Sequence, residues 1–270
     1  MAITTLDGII AGAQYPRFFA KAITPTLVAG RPACLWGLGG APGAGAFDAT
    51  LNGVTLSSTS ANVAGQIPFT DPGSGNSYLT RFSGAATVAG ILMLCDRLWH
   101  NGGYTITSTG AQSSTTPTWP ARDAAGSTNG DGVLLGLEVS SATGAGTPTV
   151  TIAYTNQAGT GSRSATNIDA TLASSAAGAF YRIGLQAGDT GVRSVQSLTL
   201  SATWTSGTMN LVAYRPLAFL ELPAAQVPNA IDALTSGFPQ LYNGTVPFLV
   251  FIPNTTSASN IVGSASWAQG

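Results

Sequence analysis

The sequence predicts an all-β protein, an antiparallel, jelly-roll-like β-sandwich with an N-terminal arm and one short C-terminal helix. Three observations favour this class: segments of alternating polarity, turn residues between them, and a near absence of Glu and Lys, which form helices well and strands poorly. The clearest segment is Leu198–Thr205, in which Leu198, Leu200, Ala202 and Trp204 alternate with Thr and Ser. Because successive side chains of a strand point to opposite faces, one face of this segment is apolar and the other carries hydroxyl groups.

Similar segments follow one another between residues 131 and 222, separated by Gly, Ser, Thr and Asn. Their spacing is typical of a sandwich or a jelly roll. Pro216 indicates an edge strand or a bend, since proline has no N–H to give to a neighbouring strand. The expected strands span residues 133–140, 148–155, 162–169, 180–186, 192–205 and 208–222.

The chain divides by composition into an N-terminal arm (residues 1–30), a sandwich body (31–222) and a C-terminal part (223–270). The body is one domain, or two β-subdomains divided near residues 110–132, where a long polar connection lies. The arm is expected to begin with a short helix at Leu6. Its apolar residues either form a first strand of their own domain or dock on a neighbouring subunit.

The C-terminal part is expected to contain a helix, a strand and a tail. Pro228–Gly237 has proline near its start and glycine at its end, as helices favour. Val246–Pro253 is apolar and predicts a strand that is buried or paired with a partner. The tail that follows is small and polar.

The first part of the body is expected to form strands at residues 53–57 and 78–82, the first of them after an Asn-Gly turn. Thr87–Trp99 contains the longest apolar run, and periodicity does not distinguish a buried strand from a short buried helix there. We favour a strand after Gly90, because the Gly-Gly pair after Asn101 indicates a tight turn into a further strand.

The chain is poor in charge. Only 8% of its 270 residues are charged and the net charge is −1, whereas an average soluble domain has about 25% charged residues. A monomeric soluble enzyme normally has a charged surface, so Thr, Ser, Asn and Gly, or other subunits, must cover this one. No basic stripe predicts nucleic-acid binding. No apolar run is long enough to span a membrane, and the N-terminus has no secretion-signal pattern, so we expect assembly in a cytoplasm.

Little in the sequence predicts catalysis. A Ser-His-Asp arrangement would use the single histidine, His100, as its base, but no Gly-x-Ser-x-Gly segment supplies a nucleophile. We expect His100 in a turn or at an interface. Glu138 and Glu221 are available as a glycosidase pair, but any all-β protein offers as many carboxylates. We therefore expect no enzyme activity.

No cofactor and no metal are predicted. Gly37, Gly39 and Gly40 are only superficially like a phosphate-binding loop, since no strand precedes them, no helix follows and the basic residue is missing. Cys34 and Cys95 are either two buried free thiols or one disulfide. With one histidine they cannot complete a zinc site without carboxylates.

The opening segment, Met1–Ala22, is Met-Ala-Ile-Thr-Thr-Leu-Asp-Gly-Ile-Ile-Ala-Gly-Ala-Gln-Tyr-Pro-Arg-Phe-Phe-Ala-Lys-Ala, and it precedes a charge-poor Ala/Gly/Thr/Ser-rich body with a single lysine. Both features resemble head and minor structural proteins of tailed bacteriophages. The resemblance implies a sandwich or jelly-roll-like fold and copies set in symmetric arrays. We therefore expect a capsid decoration (cement) or minor capsid protein, located in the virion, that binds the major capsid protein and copies of itself. It would be a homo-oligomer, and a trimer is one option. The candidate interface residues are Tyr15, Phe18, Phe19, Trp119, Phe248 and Phe251.

Two alternatives remain open at this point. One is a tail-fibre, spike or lectin-like module that binds a host glycan through Trp119 and the loop from Asp123 to Asp131; the other is a polysaccharide-acting enzyme. Trp119 is either an exposed anchor or a side chain packed under its own loop. The oxygens of Asp123, Asn129 and Asp131 do not have the spacing of a 12-residue calcium loop and predict a solvated turn.

Overall fold

The computed structural model of the chain describes residues 3–237 and 239–270. These residues form two antiparallel sheets and two short helices, which confirms the predicted all-β sandwich class. The helices are α1 (Leu6–Ala11) and α2 (Ala233–Ser236). The strands are β1 (Arg17–Lys21), β2 (Ala33–Cys34), β3 (Gly40–Ala41), β4 (Val54–Thr55), β5 (Ser77–Ala86), β6 (Gly90–Tyr104), β7 (Gln112–Ser113), β8 (Leu134–Ser141), β9 (Val150–Asn156), β10 (Arg163–Asn167), β11 (Phe180–Gly184), β12 (Val192–Leu200), β13 (Thr208–Leu222), β14 (Asn229–Asp232), β15 (Gln240–Leu241), β16 (Pro247–Pro253) and β17 (Ile261–Gln269).

The smaller sheet, called here the small sheet, has the strand order β14-β5-β17-β1-β3, with β15 also paired to β5. Its β1 and β17 pair from Arg17 opposite Ala265 to Lys21 opposite Ile261. Strands from the predicted arm, body and C-terminal part therefore meet in one sheet. The predicted polar tail is wrong for residues 261–269, because alternate residues of β17 face the core although most of its side chains are small.

The large sheet has the order β2-β16-β6-β13-β8-β11-β10-β9-β12-β7, with β4 on β6. The strands of the described chain thus divide into six and eleven, rather than the four and four of a jelly roll, and that part of the prediction is not confirmed. The central strands β6 and β13 have 15 residues each and pair along their length.

Strand β6 confirms the predicted strand after Gly90, but the predicted turn after Asn101 is wrong. The strand continues to Tyr104. Met209 of β13 pairs with Tyr104 and Leu211 with Asn101, so β6 has one extra residue between these pairs, at the two glycines. Gly103 takes the positive φ of +74° that the irregularity requires.

Pro216 lies at the third of three register shifts between β13 and β6, the one between Pro216 and Ala218. The pairing of β13 with β8 ends at Tyr214, so β13 has β6 as its only ladder neighbour at the proline. Of the two alternatives, the register shift supports the bend, whereas the edge strand is wrong, because β13 lies between β6 and β8 in the large sheet.

Two predicted elements are shorter than expected. The strand from Val192 ends at Leu200, and Trp204 returns to the core from a loop, where its Nε1 donates to the Leu172 carbonyl. The helix predicted over Pro228–Gly237 is reduced to α2, because Asn229–Asp232 pairs with β5 instead. The N-terminal helix at Leu6 is confirmed as α1, and none of its residues is buried.

Three cores hold the fold together. The distal core lies among β8–β13 and the C-terminal part of β6, around Trp99, Trp119 and Trp204. The inter-sheet core lies between the small sheet and the facing ends of β6, β13 and β16, and it includes Trp267. The third, loop-covered core lies on the opposite face of β6, β13 and β16, beneath Trp36 and residues 33–63.

Candidate interaction surface

The surface carries even less charge than the composition suggests. Eight of the 21 charged side chains are buried: Lys21, Asp96, Arg97, Arg122, Asp123, Glu138, Asp169 and Arg215. Five are exposed in the described chain, and the others are half-buried. The exposed five are Asp7, Arg81, Arg193, Glu221 and Asp232.

A buried ion pair joins β6 and β8 at the loop-covered core. Both Arg97 Nη1 and Nη2 donate to the Glu138 carboxylate at 2.8 Å, and both side chains are fully buried. Burial acts to raise the pKa of the Glu138 carboxyl, but the charge and hydrogen bonds of Arg97 outweigh it and hold the pKa below its usual value. The guanidinium also stacks 4.7 Å from the centre of the Trp36 ring. This geometry stabilises both charges inside the protein rather than presenting them to a substrate.

His100 belongs to the same cluster, and its predicted place in a turn or at an interface is wrong. Its Nδ1 lies 3.0 Å from Arg97 Nη2, which has only protons to donate, so Nδ1 accepts and Nε2 carries the proton. Nε2 then donates to the Asp48 carbonyl at 2.6 Å. Burial and the neighbouring Arg97 charge lower the pKa of His100 to about 4. The side chain therefore ties the loop around Asp48 to β6 in its neutral form.

The loop after Trp119 is closed by a second buried carboxylate. Asp123 Oδ1 accepts from the N–H groups of Ala125 and Ser127, and Oδ2 accepts from Ser127 Oγ, Gly130 N and Asp131 N. These donors occupy the carboxylate, so the loop is a self-satisfied turn with a buried acid at its centre rather than a solvated one. No group of three or more His, Cys, Asp or Glu side chains placed to hold a metal ion occurs in residues 3–237 and 239–270.

The other candidates for chemistry are separated in space. Glu138 is buried against Arg97 whereas Glu221 is exposed on β13, so these two carboxylates do not share a groove. Cys34 and Cys95 are buried free thiols, which decides between the two alternatives for the pair. Burial raises the pKa of each thiol. In the part of the chain that is described, no helix has the length and apolar character needed to cross a membrane.

Four of the six candidate interface side chains lie inside the chain's own cores. Phe19 and Phe251 are in the inter-sheet core and Phe248 is in the loop-covered core. Trp119 lies in the distal core under its own loop, and its Nε1 donates to the Val192 carbonyl at 2.7 Å. In this structure these four are therefore not available to a partner.

The remaining two, Tyr15 and Phe18, are exposed, at 89% and 61% of their full surface. Adjacent residues of a strand face opposite ways, so β1 can bury only one of its two phenylalanines. Which one faces out depends on the register of β1 against β17, and the sequence of β1 contains no sign of that register.

The exposed large apolar side chains are concentrated in one part of the molecule. We divide the molecule into two halves. The small-sheet half consists of the small sheet, both helices, their adjoining loops and the ends of β6 and β13 that pack on the small sheet. The distal half consists of β7–β12 and the distal core. Ten of the eleven such side chains in the described residues belong to the small-sheet half: Leu6, Ile10, Tyr15, Phe18, Ile23, Ile91, Phe219, Val227, Leu234 and Val262. Ile168 alone belongs to the distal half.

Many side chains on the outward face of the small sheet are small. Register pairs align Phe18, Ser264, Ser83 and Ala230 across four strands. Phe18 and Val262 project above these small residues along a shallow groove of about 700 Å³ that Arg81 also lines. The larger side chains of Phe18, Val262 and Arg81 therefore stand out from a face of small residues.

A second apolar hollow, of about 500 Å³, lies where the two helices approach the small sheet. Leu6 and Ile9 of α1, Tyr78 of β5 and Leu234 of α2 line it. We call it the helix-end hollow. Thr5 caps α1 by accepting from Gly8 N, and Asp232 and Thr235 form a reciprocal capping box on α2, so local hydrogen bonds hold both short helices.

Comparisons of the chain with protein-family models, with curated proteins and with solved structures find no significant match.

Proposed function

We propose that this chain is a structural protein of a bacteriophage virion, which binds and stabilises the capsid shell as a decoration or minor capsid protein. The observation that carries the proposal is the placement of ten of the eleven exposed large apolar side chains in one half of a molecule with five exposed charges among its described residues. Exposed apolar patches mark interaction sites. The opening residues, which resemble those of phage head proteins, favour a virion as the assembly.

The helix-end hollow is the proposed contact with the major capsid protein. Leu6 and Leu234 are 70% and 88% exposed on its rim, and Tyr15 follows α1. A shell presents many identical copies of its surface, so a multimer of this chain would bind through several modest contacts at once. The distal half, with one exposed large apolar side chain in its described residues, would face solvent.

We do not favour the glycan-binding alternative. The aromatic side chain on which it depended, Trp119, is 1% exposed. The nearby loop uses the Asp123 carboxylate for its own hydrogen bonds, so neither group is presented to a sugar.

The test uses capsids of the phage that encodes the chain, assembled without it. Purified protein is added back, and occupancy of the shell is measured by electron microscopy with the chain labelled. We expect the Leu6→Ser/Leu234→Ser double variant to lose most of its occupancy, because it removes the two exposed aliphatic groups of the hollow.

Ile168→Ser, which removes an exposed aliphatic group from the distal half, is the matched control and is expected to bind as wild type does. Wild-type protein that decorates no shell, or equal occupancy for the double variant and the wild type, would contradict the proposal. A glycan array probed with the same preparation addresses the alternative.

A further inference from the structure

Two apolar patches lie on opposite sides of the small-sheet half, because the small sheet and the ends of β6 and β13 form a two-layer sandwich around the inter-sheet core. The outer patch, on the small sheet, consists of Phe18, Val262 and Arg81. The back patch, on the large sheet, consists of Ile91, Phe219 and Glu221. Its three side chains are exposed, whereas Leu92 and Leu220 between them point into the inter-sheet core.

Each patch contains one exposed charge that is free to bind a partner, and the two charges are opposite. Within residues 3–237 and 239–270 the Arg81 guanidinium makes no hydrogen bond or ion pair, and neither does the Glu221 carboxylate; the Glu221 carbonyl alone is used, by Asn229 Nδ2. Asp232 is the cross-strand neighbour of Arg81, but its carboxylate accepts from two N–H groups at the start of α2. Its negative charge is thus engaged in capping a helix.

We propose that the outer patch of one copy of this chain binds the back patch of a second copy, with Arg81 of one facing Glu221 of the other. Both patches combine an aromatic and an aliphatic side chain with a single charge. The two charges have opposite signs, so the patches are complementary in charge. Two different patches on one molecule make a heterologous contact, which repeats from copy to copy and closes into a ring when the rotation between copies allows it.

The size of the surface is adequate for such a contact. Four strands spaced about 4.8 Å apart give a face roughly 19 Å wide, and the longest of them, β5 with ten residues, gives it a length of about 33 Å. The resulting area of roughly 600 Å² reaches the lower end of the range of about 600–1,000 Å² per partner that stable interfaces bury. The contact needs only copies of this chain and uses other residues than the helix-end hollow, so self-association and shell binding can fail separately.

The experiment is a charge exchange followed by sedimentation velocity over a wide range of protein concentrations. We expect the wild-type chain to self-associate. Arg81→Glu and Glu221→Arg should each weaken association at least tenfold, by placing like charges opposite one another, an effect of about 1.4 kcal/mol or more. The double variant R81E/E221R restores the opposite charges in reversed order and should recover most of the association.

Arg193→Glu, a reversal of the exposed arginine on the distal half, is the control and should associate as wild type does. Circular dichroism and thermal unfolding of each variant show whether it is folded. A wild-type chain that remains monomeric at every concentration would overturn the proposal. Loss of association in Arg81→Glu with no loss in Glu221→Arg would also overturn it, since that result indicates a symmetric contact through the small sheet. A folded double variant that associates as weakly as the single variants would overturn it as well.

Discussion

The two halves of the molecule share one large sheet but differ in what they present to solvent. In the distal half, β8–β13 and the C-terminal part of β6 enclose a core that contains three tryptophans, and Ile168 is the one exposed large apolar side chain in its described residues. In the small-sheet half, two layers enclose the inter-sheet core, yet ten such side chains remain outside. Both halves have a buried core, so they differ in their surfaces, and the proposed contact depends on that difference.

The distribution of charge sharpens this comparison. Eight of the 21 charged side chains are buried, where they form ion pairs and hydrogen bonds. Four of the five exposed charged side chains belong to the small-sheet half. Arg193 is the exposed charge of the distal half. The distal half instead meets water with the Ser and Thr side chains of β9, β10 and β12. Low charge therefore takes two forms in this molecule: a surface of hydroxyl groups on the distal half and exposed apolar side chains on the small-sheet half.

The largest expected effect tests whether the two interiors are equally well packed. Trp119 belongs to the distal core and Trp267 to the inter-sheet core, and both are at most 2% exposed. Trp119→Ala and Trp267→Ala should each lower the free energy of unfolding by about 3–5 kcal/mol, because each leaves a large cavity. Chemical denaturation of the two variants measures this. A cost well below 1 kcal/mol for Trp267→Ala alone would mean that the small-sheet half is loosely packed, and its apolar surface would then not be evidence of a contact.

How far the sequence predicts the structure can be judged from β13 and β17. Strand β13 has the bounds expected from its long apolar run, 208–222, and Pro216 marks one of its three register shifts against β6. Strand β17 was expected to be a tail, because Ser, Gly and Ala give little contrast between its two faces. Its place is fixed by pairing with β1 and β5, which lie about 180 residues or more away along the chain.

The sequence predicts that a contact surface exists, but not which residues form it. The low charge and the apolar N-terminal segment predict a contact surface, which stays a prediction; the structure shows that Tyr15 and Phe18 of the predicted residues are exposed. Three further aromatic residues in apolar segments face the cores instead: Phe19, Phe248 and Phe251. Register and layer packing decide which side of a strand is covered. The register of a strand depends on its partners rather than on its own residues, so a local pattern cannot supply it.

The second prediction concerns how the stability of the fold depends on pH. The pKa of His100 in the folded chain is about 4, against 6.5 for an ordinary histidine. Between these two values the unfolded chain binds a proton that the folded chain does not, so the free energy of unfolding falls as the pH is lowered through this window. The contribution of this group amounts to roughly 3 kcal/mol and is complete by about pH 4. Protonation would put an N–H of His100 against Arg97 and loosen the loop around Asp48.

Denaturation of wild type and His100→Gln at several pH values measures this contribution. We expect the difference between the two proteins to shrink as the pH falls from 6.5 to 4, and to change little above 7. Carboxylates elsewhere titrate in both proteins and cancel in the difference. Parallel pH profiles for the two proteins would show that His100 is not held neutral, and the link from β6 to the Asp48 loop would have to be reconsidered.

The smallest expected effect separates contact residues from residues that hold the fold. Leu234 on the helix-end hollow and Ile168 on the distal half are both highly exposed aliphatic side chains. Because neither side chain is buried, Leu234→Ser and Ile168→Ser should each change the free energy of unfolding by less than about 1 kcal/mol. In chemical denaturation the two variants should therefore be indistinguishable, while only Leu234→Ser reduces the binding of a dye specific for exposed apolar surface. A loss of several kcal/mol in Leu234→Ser would mean that Leu234 supports the fold of its own chain, and the contrast between the two halves would lose one of its ten members.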